Sequence, residues 1–177
     1  DMVAAKYGFT REDQDAFAAE SYRRARAAQA SGKFKTEIAP VEIAGKKGAV
    51  VVDQDEEPGR GDPSKFAGLR AAFSKDGTVT AANASSINDG AAALLVCSAD
   101  VAKQRGYQVL ARIVADSTAA VEPKWFTIAP VHALKKLYDK TSTKPLDWDL
   151  YEINEAFSGV TMAAAKEHSI PLDRVNV

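Results

Sequence analysis

The apolar residues in the first quarter of the chain change from helical spacing to alternation. From Arg11 to about Ser31 strong helix formers dominate, and small or apolar residues form one narrow stripe at helical spacing. Thr10, followed by Arg-Glu-Asp, predicts the N-cap of this helix, because acidic side chains are stabilising in a first turn. The stretch 37–43 then alternates, and a β-branched run at 49–52 follows a Gly-Lys-Lys-Gly turn. These two stretches predict a β-hairpin.

After a short helix predicted over 65–73 with Ser64 as its cap, the chain alternates between apolar and amphipathic runs. Four apolar runs predict strands: 91–97, 109–116, 150–153 and 175–177. Three helices are predicted between them: 99–105 with Ser98 as its cap, 131–140 and 155–168. The first run fits helix or strand by itself, but the cap at Ser98 favours a strand that is buried on both faces. This succession predicts an α/β layered sheet for the second half, after a more irregular α+β first half.

Composition narrows the class of protein without indicating a function. The 177 residues are 46% hydrophobic and carry a net charge of −1, which gives no electrostatic case for nucleic acid or an anionic membrane. No apolar run approaches the roughly 20 residues that span a bilayer. The single cysteine, Cys97, excludes an internal disulfide and a cysteine zinc site, and the histidines lack a matching ligand set. We therefore expect no metal site, and we expect Cys97 to be a core residue rather than a nucleophile.

Two polar stretches interrupt the apolar pattern and are candidates for chemistry. Asn154 and Glu155 lie where a predicted strand ends and a helix begins, the place at which open α/β sheets bind ligands. Both also fit a simpler role, since asparagine caps helices and an acid stabilises a first turn. The stretch 83–90 (NASSINDG) permits close approach of a ligand, but it also fits an ordinary polar turn. Local sequence leaves both alternatives open in both places.

Taken together, these stretches resemble the thiolase family, in particular its acetyl-CoA acetyltransferases. The family segment written NASG-[IL]-NDGAAA is matched at 83–93, and the NEAF motif is matched at 154–157. Three flanking stretches agree as well: REDQDAFA at 11–18, LRAAF at 69–73 and WFTIAP at 125–130. Two departures are Ser86, in place of the glycine usual after Ser85, and Ala82, where glycine is common. Either side chain could crowd the loop that binds CoA.

The resemblance implies a partial thiolase-like layered α/β fold with three parts. They are a CoA-binding loop domain at 1–77, the end of the N-terminal core at 78–108 and the first part of the C-terminal core at 109–177. Thiolases are much longer than this chain, and their two catalytic cysteines and catalytic histidine lie outside the matched region. We therefore expect an internal fragment that is inactive by itself.

The complete protein is then expected to transfer acetyl between CoA thioesters by a cysteine-based Claisen condensation. Its substrates would be acetyl-CoA, acetoacetyl-CoA and CoA, with no bound cofactor, and it would form a homodimer or homotetramer. The cytoplasm is the expected location, or an organelle in a eukaryote. Two alternatives remain: a degradative 3-ketoacyl-CoA thiolase, and a non-catalytic thiolase-like protein that binds CoA or lipid.

The resemblance also implies roles for individual residues. Asn154 would hold a water that forms an oxyanion hole together with the missing histidine. Ser85 would hydrogen-bond the pantetheine arm of CoA. The other predicted contacts are Ala81, Ala84 and Phe73 along the CoA tunnel, Ala156 and Phe157 near the acyl end, Phe126 over the acyl group, and Arg60 at the adenine or phosphate end.

Overall fold

A computed structural model of the chain describes residues 1–46 and 48–177. Its helices and strands, in chain order, are α1 (Met2–Tyr7), α2 (Arg11–Ala30), β1 (Val41–Gly45), β2 (Gly48–Val52), α3 (Glu57–Arg60), α4 (Ala99–Arg105), α5 (Ala129–Thr141) and α6 (Ser158–His168). The described residues also form four short 3-10 helices: three lie between these elements, at Pro63–Gly68, Pro123–Ile128 and Pro145–Asp147, and the fourth follows α6, at Leu172–Arg174.

Helix α2 begins where the sequence predicts. Thr10 Oγ1 accepts a hydrogen bond from the Asp13 backbone N–H at 3.1 Å, and the Asp13 carboxylate accepts one from the Thr10 N–H at 2.9 Å. This reciprocal pair is a capping box, which satisfies two backbone donors that the first turn leaves free. Because the bonds from Thr10 stabilise the ionised form, they hold the pKa of the Asp13 carboxyl below its usual value. The predicted cap of α4 is also confirmed, since Ser98 Oγ accepts from the Val101 N–H at 3.3 Å.

The predicted hairpin is confirmed, with a first strand that is shorter than expected and a second that is one residue longer. β1 and β2 pair antiparallel, with Val41 opposite Val52 and Gly45 opposite Gly48. The first strand begins at Val41 and not at 37, because Pro40 cannot donate to the ladder. Lys47, in the predicted turn, lies outside the described residues.

Helix α6 is the centre of the core. Its alanines at 163 and 164 are fully buried against α1, α5 and the turn before α5, where they meet Val3, Ile128 and Val131. The small side chains let the neighbouring helices approach closely. A second cluster joins α5 and α6 to the chain segments at 151 and 175. Helix α6 therefore packs against α1, α5 and the segments at 151 and 175, and the NEAF motif lies just before its N-terminal end.

The runs predicted as the third and fourth strands do pair, in a minimal form. Tyr151 and Val175 form an isolated parallel bridge. Tyr151 N–H donates to Arg174 O, and Asn176 N–H donates to Tyr151 O, both at 2.8 Å. The two runs are therefore neighbours in parallel orientation, as consecutive strands of an α/β sheet would be.

Two other expected strands are wrong for the described residues. The runs 91–97 and 109–116 belong to no ladder, and Leu94 and Leu110 are 89% and 87% exposed. Cys97 is likewise exposed, not a core residue. A strand needs a neighbouring strand to bond its backbone groups and a packed layer against each buried face. Within the described residues, neither run has such a neighbour or such a layer.

The short helix predicted over 65–73 is also displaced. The chain forms a 3-10 helix at Pro63–Gly68, and Asp62, not Ser64, is its cap. Asp62 Oδ1 accepts from the Ser64 N–H at 3.1 Å, and the proline that follows Asp62 suits a first helical position.

Candidate functional site

The two polar stretches singled out from the sequence meet in the structure. Ser85 N–H donates to Ala156 O at 3.0 Å, and Ser158 N–H donates to Asn83 O at 2.9 Å. These bonds close an antiparallel bridge between Ala84 and Phe157. The NASS segment (83–86) and the NEAF segment (154–157) are therefore joined backbone to backbone.

Asn154 is not a helix cap. Helix α6 begins at Ser158, and its N-cap is Phe157, which is extended and makes no side-chain cap hydrogen bond. The bridge to Ala84 explains this late start, because it holds the chain before Ser158 extended. The simpler role that local sequence left open for Asn154 is therefore wrong, and its exposed side chain lines a cleft instead.

That cleft is polar and has a volume of about 290 Å³. Helix α2 lines it through Ser21 and Tyr22, and the NASS loop lines it through Ala84 and Ser85. Asn154 lies on the same lining. The cleft therefore brings together three of the predicted site residues, and they present an amide and a hydroxyl to one space.

A second cavity, of about 410 Å³, is lined mainly by apolar side chains. Phe73, Phe126 and Phe157 all contribute to it, and the rings of Phe73 and Phe157 meet edge to face with centroids 6.2 Å apart. Phe157 lines this cavity, whereas its bridge partner Ala84 lines the polar cleft. The bridge is therefore a wall between a polar space and an apolar one.

Three predicted residues lie outside both cavities. Ala81 is exposed, and Ala156 takes part through its backbone oxygen. The Arg60 guanidinium lies 2.6 Å from a Glu56 carboxylate oxygen and 3.6 Å from one of Glu57. Glu57 itself lines the polar cleft, so Arg60 is placed at the edge of the cleft with its charge already paired.

The two departures from the family segment are accommodated in the fold. The Ala82 methyl is buried with Ala18 and Phe66 in a small core cluster. Ser86 is exposed, and its hydroxyl accepts a hydrogen bond from Asn88 Nδ2 at 2.7 Å. Ala82 and Ser86 therefore both contribute to the lining of the polar cleft.

Sequence reasoning missed the buried amide that fixes the NASS loop. Asn83 is 4% exposed, and its Nδ2 donates to Asp15 Oδ1 at 2.9 Å and to Thr78 O at 3.0 Å. Its Oδ1 accepts from the Thr80 N–H at 2.8 Å. Asp15 also pairs with Arg11 at 2.7 Å. The helical spacing of Arg11 and Asp15 could have indicated their pair, but no local signal connects them to Asn83, because it lies in a distant segment.

The partners of Glu155 were missed as well. Its carboxylate accepts from Ser21 Oγ at 2.6 Å and from Asn176 Nδ2 at 2.7 Å. Asn176 has a φ of 53°, a left-handed conformation in which asparagine is enriched. Glu155 thus connects α2 with the segment after the last 3-10 helix. The alternative that Glu155 is an acid in the first turn of a helix is wrong, since α6 begins only at Ser158.

Two other kinds of feature are absent from residues 1–46 and 48–177. Over these ranges, no three His, Cys, Asp or Glu side chains are grouped so that they could hold a metal ion. None of the described helices combines the length and the apolar character needed to cross a membrane.

Comparison with known proteins places these features in a family. The families described as "Thiolase, N-terminal domain" and "Thiolase, C-terminal domain" match residues 1–100 and 107–177. An acetyl-CoA acetyltransferase of Yarrowia lipolytica is 49% identical over 96% of this chain and 43% of its own length. The mitochondrial acetyl-CoA acetyltransferase B of Xenopus laevis is 50% identical over 99% of this chain and 42% of its own. The chain thus spans less than half the length of these curated relatives.

Two solved structures agree in fold. The acetyl-CoA acetyltransferase of Bacillus anthracis superposes with a TM-score of 0.94 at 43% identity, over 98% of this chain and 44% of that protein. A thiolase of Ascaris suum in complex with coenzyme A gives 0.90 at 42% identity, over the same shares. The expected partial thiolase-like α/β fold is confirmed, while its division at residues 77 and 108 stays a prediction. The chain belongs to the thiolase family.

Proposed function

We propose that this chain works within a complete thiolase polypeptide that transfers acetyl between CoA thioesters. The reaction condenses two acetyl-CoA molecules into acetoacetyl-CoA and CoA, and it is reversible. The observation that carries the proposal is the junction of the NASS and NEAF segments, which puts Asn154 and Ser85 on one cleft. Support comes from relatives that are named acetyl-CoA acetyltransferases and match almost the whole chain.

The condensation requires removal of a proton next to a thioester carbonyl, which leaves negative charge on the carbonyl oxygen. Donors that are already in place at that oxygen stabilise the charge without reorganising during the reaction. The Asn154 amide would orient a water molecule there, and because the amide is neutral it adds no competing charge. The thiolate nucleophile and the histidine would come from parts of the polypeptide outside this chain.

The substrate would enter along the wall formed by the NASS loop. The backbone of Ser85 is fixed by its hydrogen bond to Ala156 O, while the side chain is exposed and donates to Ser86 O at 3.1 Å. The hydroxyl could exchange this exposed bond for one to an amide of the pantetheine arm. The aromatic cavity on the other side of the bridge would take the apolar part of the bound thioester.

The test is thiolysis of acetoacetyl-CoA by CoA, catalysed by the complete polypeptide. Asn154→Ala should lower kcat by about 100-fold to 1,000-fold, the usual effect of removing an oxyanion-hole donor. Glu152→Ala is the matched control, because Glu152 is exposed in the same segment. An unchanged rate for Asn154→Ala would remove this amide from the site.

The same assay separates the two alternatives. A degradative thiolase would prefer a longer 3-ketoacyl-CoA to acetoacetyl-CoA. A binding protein without catalysis would retain coenzyme A in equilibrium dialysis and show no turnover with either thioester. Activity that is highest with acetoacetyl-CoA is the expected result.

We further propose that the complete protein is a homodimer or homotetramer. The exposed apolar side chains of the runs 91–97 and 109–114 favour cover by additional protein surface, supplied either by the rest of the polypeptide or by a second subunit, because large apolar patches are unfavourable in water. Light scattering after size-exclusion chromatography would give the number of subunits. Localisation in the cytoplasm, or in an organelle of a eukaryote, stays a prediction.

A further inference from the structure

Asn176 contacts the segment that presents Asn154 in three places. Its Oδ1 accepts from the Ile153 N–H at 2.8 Å, and its Nδ2 donates to Ile153 O, also at 2.8 Å. The same Nδ2 donates to Glu155 Oε1 at 2.7 Å. Both hydrogens of the amide and its oxygen are thus engaged. One side chain therefore holds the residues on either side of Asn154.

Asn176 is itself fixed, so these contacts have a rigid origin. Its backbone N–H donates to Tyr151 O at 2.8 Å. Arg24 Nη1, on helix α2, donates to Val175 O at 2.6 Å and to Asn176 O at 3.3 Å. The left-handed backbone at Asn176, with a φ of 53°, turns the side chain towards Ile153 and is tolerated by asparagine better than by most residues.

Glu155 continues the connection to α2. Its second carboxylate oxygen accepts from Ser21 Oγ at 2.6 Å, and Ser21 also lines the polar cleft. Hydrogen bonds to an ionised carboxylate are stronger than those between neutral groups. Asn154 therefore lies between two anchored neighbours, while its own side chain faces the cleft.

A purely structural role would require less than this. The parallel bridge between Tyr151 and Val175 already joins the two segments through their backbones. The side-chain bonds of Asn176 extend beyond that bridge by two and four residues, to Ile153 and Glu155, which are the immediate neighbours of Asn154. The additional contacts are thus concentrated around the one residue whose orientation matters for the reaction.

We propose that Asn176 is a positioning residue for the Asn154 amide and acts together with Glu155 and Ser21. The proposal rests on the proposed function, in which Asn154 orients a water at the thioester oxygen. In this arrangement Glu155 is a hydrogen-bond acceptor and carries no proton in the reaction. Releasing the connection would let the amide move by a fraction of an ångström or more, and a misplacement of about 1 Å can cost about 100-fold in rate.

The diagnostic variant is Asn176→Asp, in the complete polypeptide. The oxygen that accepts from the Ile153 N–H is retained in aspartate. The second oxygen replaces Nδ2, so an acceptor faces Glu155 Oε1 and Ile153 O where the wild type has a donor. Two carboxyl groups at this distance share a proton, which raises the pKa of one of them. At high pH both are ionised and repel each other. At lower pH the shared proton restores a donor.

The expected readout is a split between kinetic constants and a changed pH profile. For Asn176→Asp, kcat of thiolysis should fall by about tenfold to 100-fold near pH 8.5 and recover part of that loss near pH 6, relative to wild type. KM for coenzyme A should stay within about twofold, because the effect concerns the transition state only. A merely structural residue would give a loss without this recovery at low pH.

Three further variants keep the test decisive if Asn176→Asp does not fold. Glu155→Gln should lower kcat by about twofold to fivefold at every pH, since the neutral side chain still accepts from Asn176 and meets Ser21 but binds them less strongly than the carboxylate does. Ser21→Ala should lower kcat by about twofold to fivefold, because it removes one of two restraints on Glu155. The double variant Asn176→Asp with Glu155→Gln reverses donor and acceptor and should regain part of the rate at high pH. Glu152→Gln is the matched control for charge removal in this segment.

The outcomes separate the two proposals. If wild-type protein shows no thiolysis, the proposed function is overturned, and the positioning role is overturned with it. If wild type is active and Asn176→Asp has an unchanged kcat at all pH values, only the positioning role is overturned. The same holds if Glu155→Gln loses activity as Asn176→Asp does, since that would make Glu155 a proton carrier. Loss at high pH, recovery at low pH and rescue by the double variant would support the proposal.

Discussion

Replacing Asn83 with alanine would test the buried amide that fixes the NASS loop. The substitution removes three hydrogen bonds: one from the Thr80 N–H, one to Thr78 O and one to the Asp15 carboxylate. Thr80 is fully buried, so its N–H would have no water to replace the lost acceptor. Asp15 would keep only its contact with Arg11.

The magnitude follows from the partners. Each bond to a neutral group contributes about 1 kcal/mol, and the bond to the carboxylate contributes about 2 kcal/mol. Because these bonds share one side chain their effects are not additive, and we expect a loss of about 3 kcal/mol in the free energy of unfolding. Asn88→Ala is the matched control, since Asn88 is exposed and bonds only within its own loop, to Ser86. It should cost no more than about 0.5 kcal/mol.

The assay is urea unfolding of the chain, monitored by tryptophan fluorescence. Both variants should unfold with the slope of the wild type, so that a shift in midpoint reports stability alone. A cost below about 1 kcal/mol for Asn83→Ala would refute the reasoning, because it would mean that the amide is not the common partner of these groups. A double-mutant cycle with Asp15→Ala should give a coupling of about 1–2 kcal/mol.

Three further predictions concern charge, cavity shape and the single cysteine. Hydrogen bonds from Arg23 and Arg24 hold the pKa of Glu20 at about 2, so the stability difference between wild type and Glu20→Gln should be present above pH of about 4 and fade as the pH falls towards 2. Because these ion pairs are exposed, the free energy of unfolding measured as a function of pH should differ by only a few tenths of a kcal/mol. A difference that grows on acidification would contradict this prediction. Phe126→Ala should enlarge the aromatic cavity. In the complete protein, the ratio of kcat/KM for a longer 3-ketoacyl-CoA to kcat/KM for acetoacetyl-CoA should then rise by about tenfold. An unchanged ratio would place Phe126 away from the acyl group. Cys97 is exposed and lines neither the polar cleft nor the aromatic cavity. The 177-residue chain by itself should therefore show no thiolysis of acetoacetyl-CoA. For the same reason, Cys97→Ala should not alter the rate of thiolysis by the complete enzyme.

Features that depend on neighbouring residues were predictable from the sequence. The capping box at Thr10, the cap at Ser98 and the hairpin all follow from side chains within a few positions of one another. The family segments at 83–93 and 154–157 were also found, because each is continuous. What they share is that the chain itself brings the interacting groups together.

Features that depend on distant partners were not predictable. Asn83 fits an ordinary polar turn and Asn176 falls in a predicted strand, and only the fold brings Asp15 to the first and Ile153 to the second. The start of α6 was misjudged for the same reason, since the bridge to Ala84 competes with helix formation before Ser158. The run 91–97 fails in the opposite way: its composition favours a strand, but composition alone supplies no partner.

The bridge between Ala84 and Phe157 also has a consequence for the order of folding. It connects a residue of the N-terminal family domain with one of the C-terminal family domain. During synthesis, residue 84 leaves the ribosome well before residue 157. The NASS loop therefore remains without its bridge partner until the later segment has been synthesised. Contacts between such distant segments close slowly, because the entropy of the loop is lost before the contact forms. A thioester that binds both walls would therefore hold the two domains together, and binding at the cleft would stabilise the assembled state against separation of its halves.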